Sequence, residues 1–562
     1  MRDKTRTTVG AYLVRRLEQA GLKHIFGVPG DYVLGLYKLL ETSRMRLVCN
    51  CNELNAGYAA DAYARLNGIG AVCVTYGVGG FSLLNAVVGA GAERVPLVVI
   101  SGAPRTSERA HRHLLHHTTG DMNLQYAVYE KLTAAACVLT SPEQAPAQID
   151  TTIEACLRFK RPVYLEVPLD IVGMPCRAPG PFRIDAALTS DAAALHEAVA
   201  EAAALLEGAQ RPVILAGVEC HRLGIQRELQ DLIEHSGYPF ATGLLGKTVI
   251  PEEHPQFIGV YGGVASWAHA REIVREADII LCLGTLMTDI EIGGCPPLLD
   301  PGRKIAANSD KVRIKRHVYD RVCLREFVAG LRAALPRGRR VRETNPWHPS
   351  KAVCAAYAPG PARRITVKRF YQRINCLLDG RSVVLGETGD SLFNVATLYM
   401  PRGALCIDQA FYLSIGYSVP GTLGACLAAP GRRVLTFVGD GAFQMTGQEL
   451  STIIREKLNP VIFLMNNDGY TIERVMLDGA FNDLQRWNYA GLPALFGGGW
   501  GIAVGTEGEL EEALRAVARR PNEPALIEVR LDRMDCSEAV RRYGARFKAA
   551  KAATASRPVR GR

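Results

Sequence analysis

Short apolar, β-branched runs alternate with amphipathic stretches along most of the chain. Residues 8–22 place Leu13, Leu17 and Leu22 on one side and predict an amphipathic helix. Residues 24–28 read as a strand, and Pro29-Gly30-Asp31 turns out of it. The alternation continues with strands over 46–51, 70–76, 96–101 and 162–167 and helices over 53–66 and 79–93. Strands each followed by a helix predict a parallel, doubly wound sheet, so residues 1–185 are expected as a first α/β domain.

A second unit is expected over 190–345, with an Ala-rich helix at 191–208 and core strands at 212–216 and 277–283. It is poor in clustered acids, bases or metal ligands, which marks it as structural or regulatory. A polar linker over 340–364 leads into a third domain at 365–535, with strands at 382–385, 404–407, 433–438, 460–465 and 524–529. Its alternation matches that of the first domain and suggests duplication. Residues 536–562 read as a basic tail with a frayed end. The fold class is therefore α/β, with three doubly wound parallel-sheet domains.

Composition narrows the class further. Hydrophobic residues make up 48% and charged residues 22% of 562, ordinary for a globular protein with several cores. No apolar run reaches the roughly 18 residues of a membrane span, and the first residues show no secretory pattern, so a cytoplasmic protein without a membrane partner is expected. The net charge of +10 collects in Arg-rich patches at 337–342 and 541–562, without a nucleic-acid reader motif, so no nucleic-acid partner is expected. The 15 cysteines are scattered and read as reduced core residues, and Cys49-Asn-Cys51 has the wrong spacing for zinc.

The candidate chemistry is densest at 439–473. Gly439-Asp440-Gly441 falls at the end of the strand over 433–438, where open α/β sheets place ligands. A helix is expected over 447–457, and Asn466-Asn467 closes the next strand. Parallel strands joined by a crossover bring these ends together. The Asp440 carboxylate, the Asn467 amide oxygen and the Gly469 carbonyl then form an all-oxygen set suited to Mg2+, and the glycines let a diphosphate approach the backbone.

This unit resembles the diphosphate-and-metal motif of thiamine diphosphate (pyrophosphate) enzymes. Four further clusters resemble one branch of them, the 2-oxo acid decarboxylases of the pyruvate and indolepyruvate (phenylpyruvate) decarboxylase type. The resemblance implies thiamine diphosphate and Mg2+ as cofactors, with Gly441, Ala442, Tyr470 and Ile472 beside Asp440, Asn467 and Gly469. It implies that Glu53, at the start of the helix ELNAGYAADAYAR, hydrogen-bonds the aminopyrimidine and activates the cofactor. It implies a proton-transfer group of Asp31, His116, His117 and Glu473. Without the resemblance, Asp31 is a turn residue, and adjacent histidines with no accompanying carboxylate pattern do not read as a metal site. Asp390 in GETGDSLFN and Leu413-Ser414-Ile415 in FYLSIGYS are implied in cofactor binding, with Ile415 as the wedge that bends it and a backbone carbonyl just before as acceptor.

Departures concern the substrate. Leu392 stands where pyruvate enzymes commonly carry tryptophan, and Tyr412-Leu413 where the family usually has Trp-Gly. With Ile472 and the adaptable Met476, Leu392 is expected to line a roomy pocket for branched, longer or aromatic 2-oxo acids as well as pyruvate. The resemblance further implies a homodimer or homotetramer with active sites at subunit interfaces. The nearest alternative is a carboligase of the acetolactate synthase type, many of which hold FAD in the middle domain. A non-catalytic scaffold is the alternative from another class, and the intact set of Glu53, Asp440, Asn467, His116, His117 and Glu473 speaks against it.

Overall fold

The computed structural model describes residues 6–111, 114–182, 188–292, 300–338, 345 and 357–555. The linker expected over 340–364 and the Arg-rich patch at 337–342 lie largely outside them. The chain divides into two compact units, one of residues 1–188, 419–431 and 446–456, the other of residues 189–418, 432–445 and 457–562.

The first unit holds a six-stranded, wholly parallel sheet. Its spatial order is Arg46–Cys49, His24–Gly27, Gly70–Val74, Leu97–Ala103, Val163–Pro168 and Ala136–Val138. The central strands are buried on both faces, as a sheet covered by helices on each side requires. The helix Val9–Gln19 begins where the Thr8 hydroxyl accepts from the Ala11 N–H. Asn52 caps Glu53–Asn67 in the same way, and Gly68, at φ +89°, ends it in the left-handed region.

The second unit carries two sheets. The central one runs Phe257–Tyr261, Phe240–Gly243, Pro212–Ala216, Ile279–Leu283 and Lys304–Asn308 in parallel. It then extends through Lys311–Ile314 and His317–Asp320, both antiparallel, because tight turns rather than crossover helices join these last strands. That extension departs from the purely parallel expectation. The other sheet is parallel throughout, in the order Leu405–Cys406, Ser382–Gly386, Arg433–Gly439, Val461–Asn466, Ala525–Arg530 and Trp500–Val504.

Two local expectations need correcting. The single helix over 447–457 is instead a helix at Asp440–Thr446, a tight turn at Gly447–Glu449 and a helix at Leu450–Arg455. The bend turns the Glu449 side chain inward, where it is fully buried. The expected tail over 536–562 instead begins as a helix, Glu538–Ala555, with Ala539 and Val540 buried and Gly544 against Val475, while its frayed end at 556–562 lies outside the described residues. Every cysteine among the described residues is free. No helix among them is long and apolar enough to cross a membrane.

One buried acid on the short helix Asp289–Ile292, packed beside the central sheet, yields a pH prediction. Glu291 is 7% exposed, and burial pushes its carboxyl up to about 8, with the Leu244 N–H holding it back. A folded value above the unfolded one means that this group's contribution to stability is fully present below about pH 4.5 and is lost as pH rises toward 8. Glu291→Gln removes that loss. Thermal melts should show a gain of roughly 3 kcal/mol at pH 7 and well under half of that at pH 5. An equal shift at both pH values contradicts the assignment.

Candidate active site

In the first unit, the strand His24–Gly27 delivers the chain to Asp31, which opens a short turn of helix over Asp31–Val33. The Asp31 Oδ2 and His116 Nε2 are 2.5 Å apart, and the His116 ring stacks on Tyr32 at 5.0 Å. His117 lies edge-on to His116 at 4.8 Å and adopts φ +62°, in the left-handed region. Gly77 permits this bend, because a Cβ there would meet the His117 carbonyl oxygen at 1.9 Å. Asp31, His116 and His117 are thus brought together. Burial raises the Asp31 carboxyl, but the hydrogen bond and charge of His116 outweigh it and leave it below its ordinary value.

Glu53 is the first residue of its helix, where backbone N–H groups favour an anion. Gly79 leaves room beside it, since a Cβ at that position would stand 3.4 Å from the Glu53 Oε1. The turn before Glu53 is held by Glu449, a residue the sequence reading did not single out. Its carboxylate accepts from Asn50 Nδ2 at 2.9 Å, the Cys51 N–H at 3.2 Å and Asn55 Nδ2 at 2.8 Å. Asn50 in turn accepts from the Gly27 N–H, tying the turn to the neighbouring strand. A glutamate inside a predicted helix reads as solvated, so only the fold exposes this role.

The second unit contains a cavity of ≈ 470 Å³ over the ends of the strands Arg433–Gly439 and Val461–Asn466. Its lining includes Asp390, Leu392, Leu413, Ile415, Asp440, Gly441, Ala442, Asn467, Gly469, Tyr470, Ile472, Glu473 and Met476. Ser414 does not line it; its N–H donates to Gln409 Oε1 at 2.7 Å. Ile290 from the central sheet region and Tyr543 from the last helix also reach the cavity, and no local motif marks either.

Asp440 is 2% exposed and accepts from the N–H groups of Gly441 and Gly469, each at 2.9 Å. Burial raises its carboxyl to about 6, and the two N–H groups hold it back. The loop 467–469 is fixed from beneath by Arg474, 1% exposed, whose guanidinium donates to the carbonyls of Asn467 and Asp468 and to Asp483. Gly469 has φ +145°, and a Cβ there would meet the Asn482 carbonyl oxygen at 2.1 Å. A Cβ on Gly441 would strike the Tyr470 ring at 2.3 Å. The cradle therefore exists only with glycine at both places.

Two buried acids shape the rest of the wall. Glu387 accepts from the N–H and hydroxyl of Ser418 and the N–H groups of Gly416 and Thr388, which anchors the loop carrying Leu413 and Ile415. Asp390, raised to about 6 by burial, accepts from the Ser537 N–H at 3.1 Å. Leu413 has φ +55°, a conformation that costs a non-glycine residue roughly 1–2 kcal/mol, at the position where the family pattern carries glycine.

Comparison with known proteins matches residues 7–126 to the thiamine pyrophosphate enzyme N-terminal TPP binding domain, 199–334 to the central domain and 387–529 to the C-terminal TPP binding domain. Over 553 residues the chain is 37% identical to a probable pyruvate decarboxylase of Schizosaccharomyces pombe, covering 96% of this chain and 95% of that protein. It is 36% identical over 560 residues to pyruvate decarboxylase 2 of Oryza sativa subsp. japonica, covering 97% and 91%. The chain belongs to the pyruvate decarboxylase family of thiamine pyrophosphate enzymes. Pyruvate decarboxylase 1 of Pisum sativum is similarly close, 36% identical over 562 residues. The cavity fits the family's cofactor. Asp440, Asn467 and Gly469, a donor set whose chemistry suits a divalent cation beside a diphosphate, line it together with Gly441, and apolar Leu392, Ile415 and Ile472 line it too.

Proposed function

We propose that the chain decarboxylates 2-oxo acids to aldehydes, with Asp440, Asn467 and Gly469 holding Mg2+ against the diphosphate of its cofactor. The observation that carries this reading is the cavity at the paired strand ends, where all three oxygen donors and Glu473 share one lining. When bound, thiamine pyrophosphate supplies the electron sink that takes the pair released as carbon dioxide leaves. Glu53 hydrogen-bonds the cofactor's aminopyrimidine and sets its tautomer. Ile415 would pack against the cofactor, and Asp390 and Ser414 would belong to the loops that hold it. Asp31, His116, His117 and Glu473 hold and deliver the protons that complete aldehyde release, and a short Asp31–His116 contact suits that exchange. Glu473 beside the substrate carboxylate favours its departure as neutral carbon dioxide. In this reading the enzyme works in the cytoplasm as a homodimer or homotetramer with sites at subunit interfaces, and has neither nucleic-acid nor membrane partner.

The substrate range follows from Leu392, Ile472 and Met476. Leu392 is 1% exposed and lines the cavity where a tryptophan would fill it, so branched and aromatic 2-oxo acids are substrates alongside pyruvate. Aldehyde release measured over a panel of 2-oxo acids tests the reading. Leu392→Trp should lower kcat/KM for phenylpyruvate at least tenfold relative to pyruvate, within the roughly 1–3 kcal/mol that pocket size commands. A strong pyruvate preference unchanged by the substitution removes the broad pocket but leaves decarboxylation standing.

The acetolactate synthase reading finds no support in the central sheet. A dinucleotide there would use the crevice where the strand order reverses, between Pro212–Ala216 and Ile279–Leu283. A Cβ on Gly217 would meet the Gly284 carbonyl oxygen at 2.2 Å, and the buried Glu219 carboxylate accepts from Asn308 Nδ2 and from the N–H and hydroxyl of Ser309. An acidic, already bonded crevice repels a pyrophosphate.

A further inference from the structure

We infer that Asp31, His116 and His117 form a zinc-type metal site, with ligands different from those proposed for Mg2+ at Asp440, through which such an ion inhibits the enzyme. Two adjacent histidines lacked a carboxylate in the sequence; the fold supplies one from 85 positions away. One potential ligand atom from each residue lies within 4.8 Å of the other two. Tetrahedral zinc with bonds of about 2.0 Å needs ligands roughly 3.3 Å apart, so modest side-chain rotations close the set. The His116 ring is fixed against Tyr32, and the His117 Nδ1 is buried without a hydrogen-bond partner. The side chains of His116 and Asp31 remain 60% and 48% exposed, which leaves an entry path and room for water as the fourth ligand.

The two sites differ in chemistry. Two imidazoles and one carboxylate suit zinc, cobalt or nickel, whereas Mg2+ prefers the all-oxygen set of Asp440, Asn467 and Gly469. Zinc entry would displace the proton shared by Asp31 and His116 to solvent and occupy both imidazoles. The group proposed to move protons would then be disabled even with cofactor and Mg2+ in place.

The test uses holoenzyme saturated with thiamine pyrophosphate and Mg2+. Titration calorimetry with zinc chloride should show one strong site per chain, and inhibition that excess Mg2+ does not relieve. Asp31→Asn and His117→Gln, each checked for folding by circular dichroism, should each weaken zinc binding at least tenfold, about 1.4 kcal/mol. Cobalt added to unaltered holoenzyme should give the intense visible absorption of a tetrahedral nitrogen and oxygen site, a readout independent of the variants and of turnover. Unchanged zinc affinity in both folded variants, relief by Mg2+, or a weak octahedral cobalt spectrum would each overturn the assignment. Absence of decarboxylation by the unaltered, zinc-free holoenzyme would count against the proposed function and leave this site unaffected.

Discussion

Glu53→Gln is expected to lower kcat/KM for aldehyde release by roughly 100- to 10 000-fold, the range spanned by loss of a positioned acid or base. Glutamine keeps the length of the side chain and one hydrogen bond, but it cannot exchange a proton with the aminopyrimidine. The fold should tolerate it. The helix cap is Asn52, whose side chain accepts from Asn55, and the turn before it is held by Glu449, so neither anchor is touched. What the helix loses is an anion near its N-terminus, worth typically 0.3–1 kcal/mol. Steady-state kinetics with phenylpyruvate and pyruvate, beside a thermal melt, separates the two effects. Activity within tenfold of the unaltered enzyme would remove Glu53 from its assigned role.

Glu449 also marks where sequence reasoning reached its limit. The residues at strand ends were legible because an apolar run fixes where a strand stops, and a parallel crossover then fixes which ends meet. Asp440, Asn467 and Gly469 follow from that logic, and they do line one cavity. Glu449 and Glu387 obey a different logic. Each is a fully buried carboxylate satisfied by donors on distant segments, and a charged residue in an isolated sequence reads as solvent-facing. The strand Trp500–Val504 was missed because it follows Gly497-Gly498-Gly499, which breaks the β pattern, while its pairing with Ala525–Arg530 overrides that weak propensity. The last helix was hidden in an Arg-rich stretch whose apolar positions include Ala539, Val540 and Tyr543. Its reach to the cavity through Tyr543 depends on tertiary packing, which no local pattern announces.

Asp440→Asn should separate cofactor affinity from folding. The carboxylate is nearly inaccessible and satisfied by only two backbone N–H groups, so burial without a cation makes it a cost to the free protein. An amide at this place keeps one oxygen acceptor and removes the charge, and the variant without cofactor should melt at or above the temperature of the unaltered chain. Added thiamine pyrophosphate and Mg2+ should then stabilise the unaltered chain by about 2.7 kcal/mol at a hundredfold excess over Kd, and the variant by far less. Decarboxylation should fall with the lost binding and recover in part at high cofactor concentration. The two shifts have opposite signs, which no general damage to the fold would produce. Equal stabilisation of both proteins by the cofactor pair would place the cation elsewhere, and would leave the buried charge at the end of Arg433–Gly439 without a purpose.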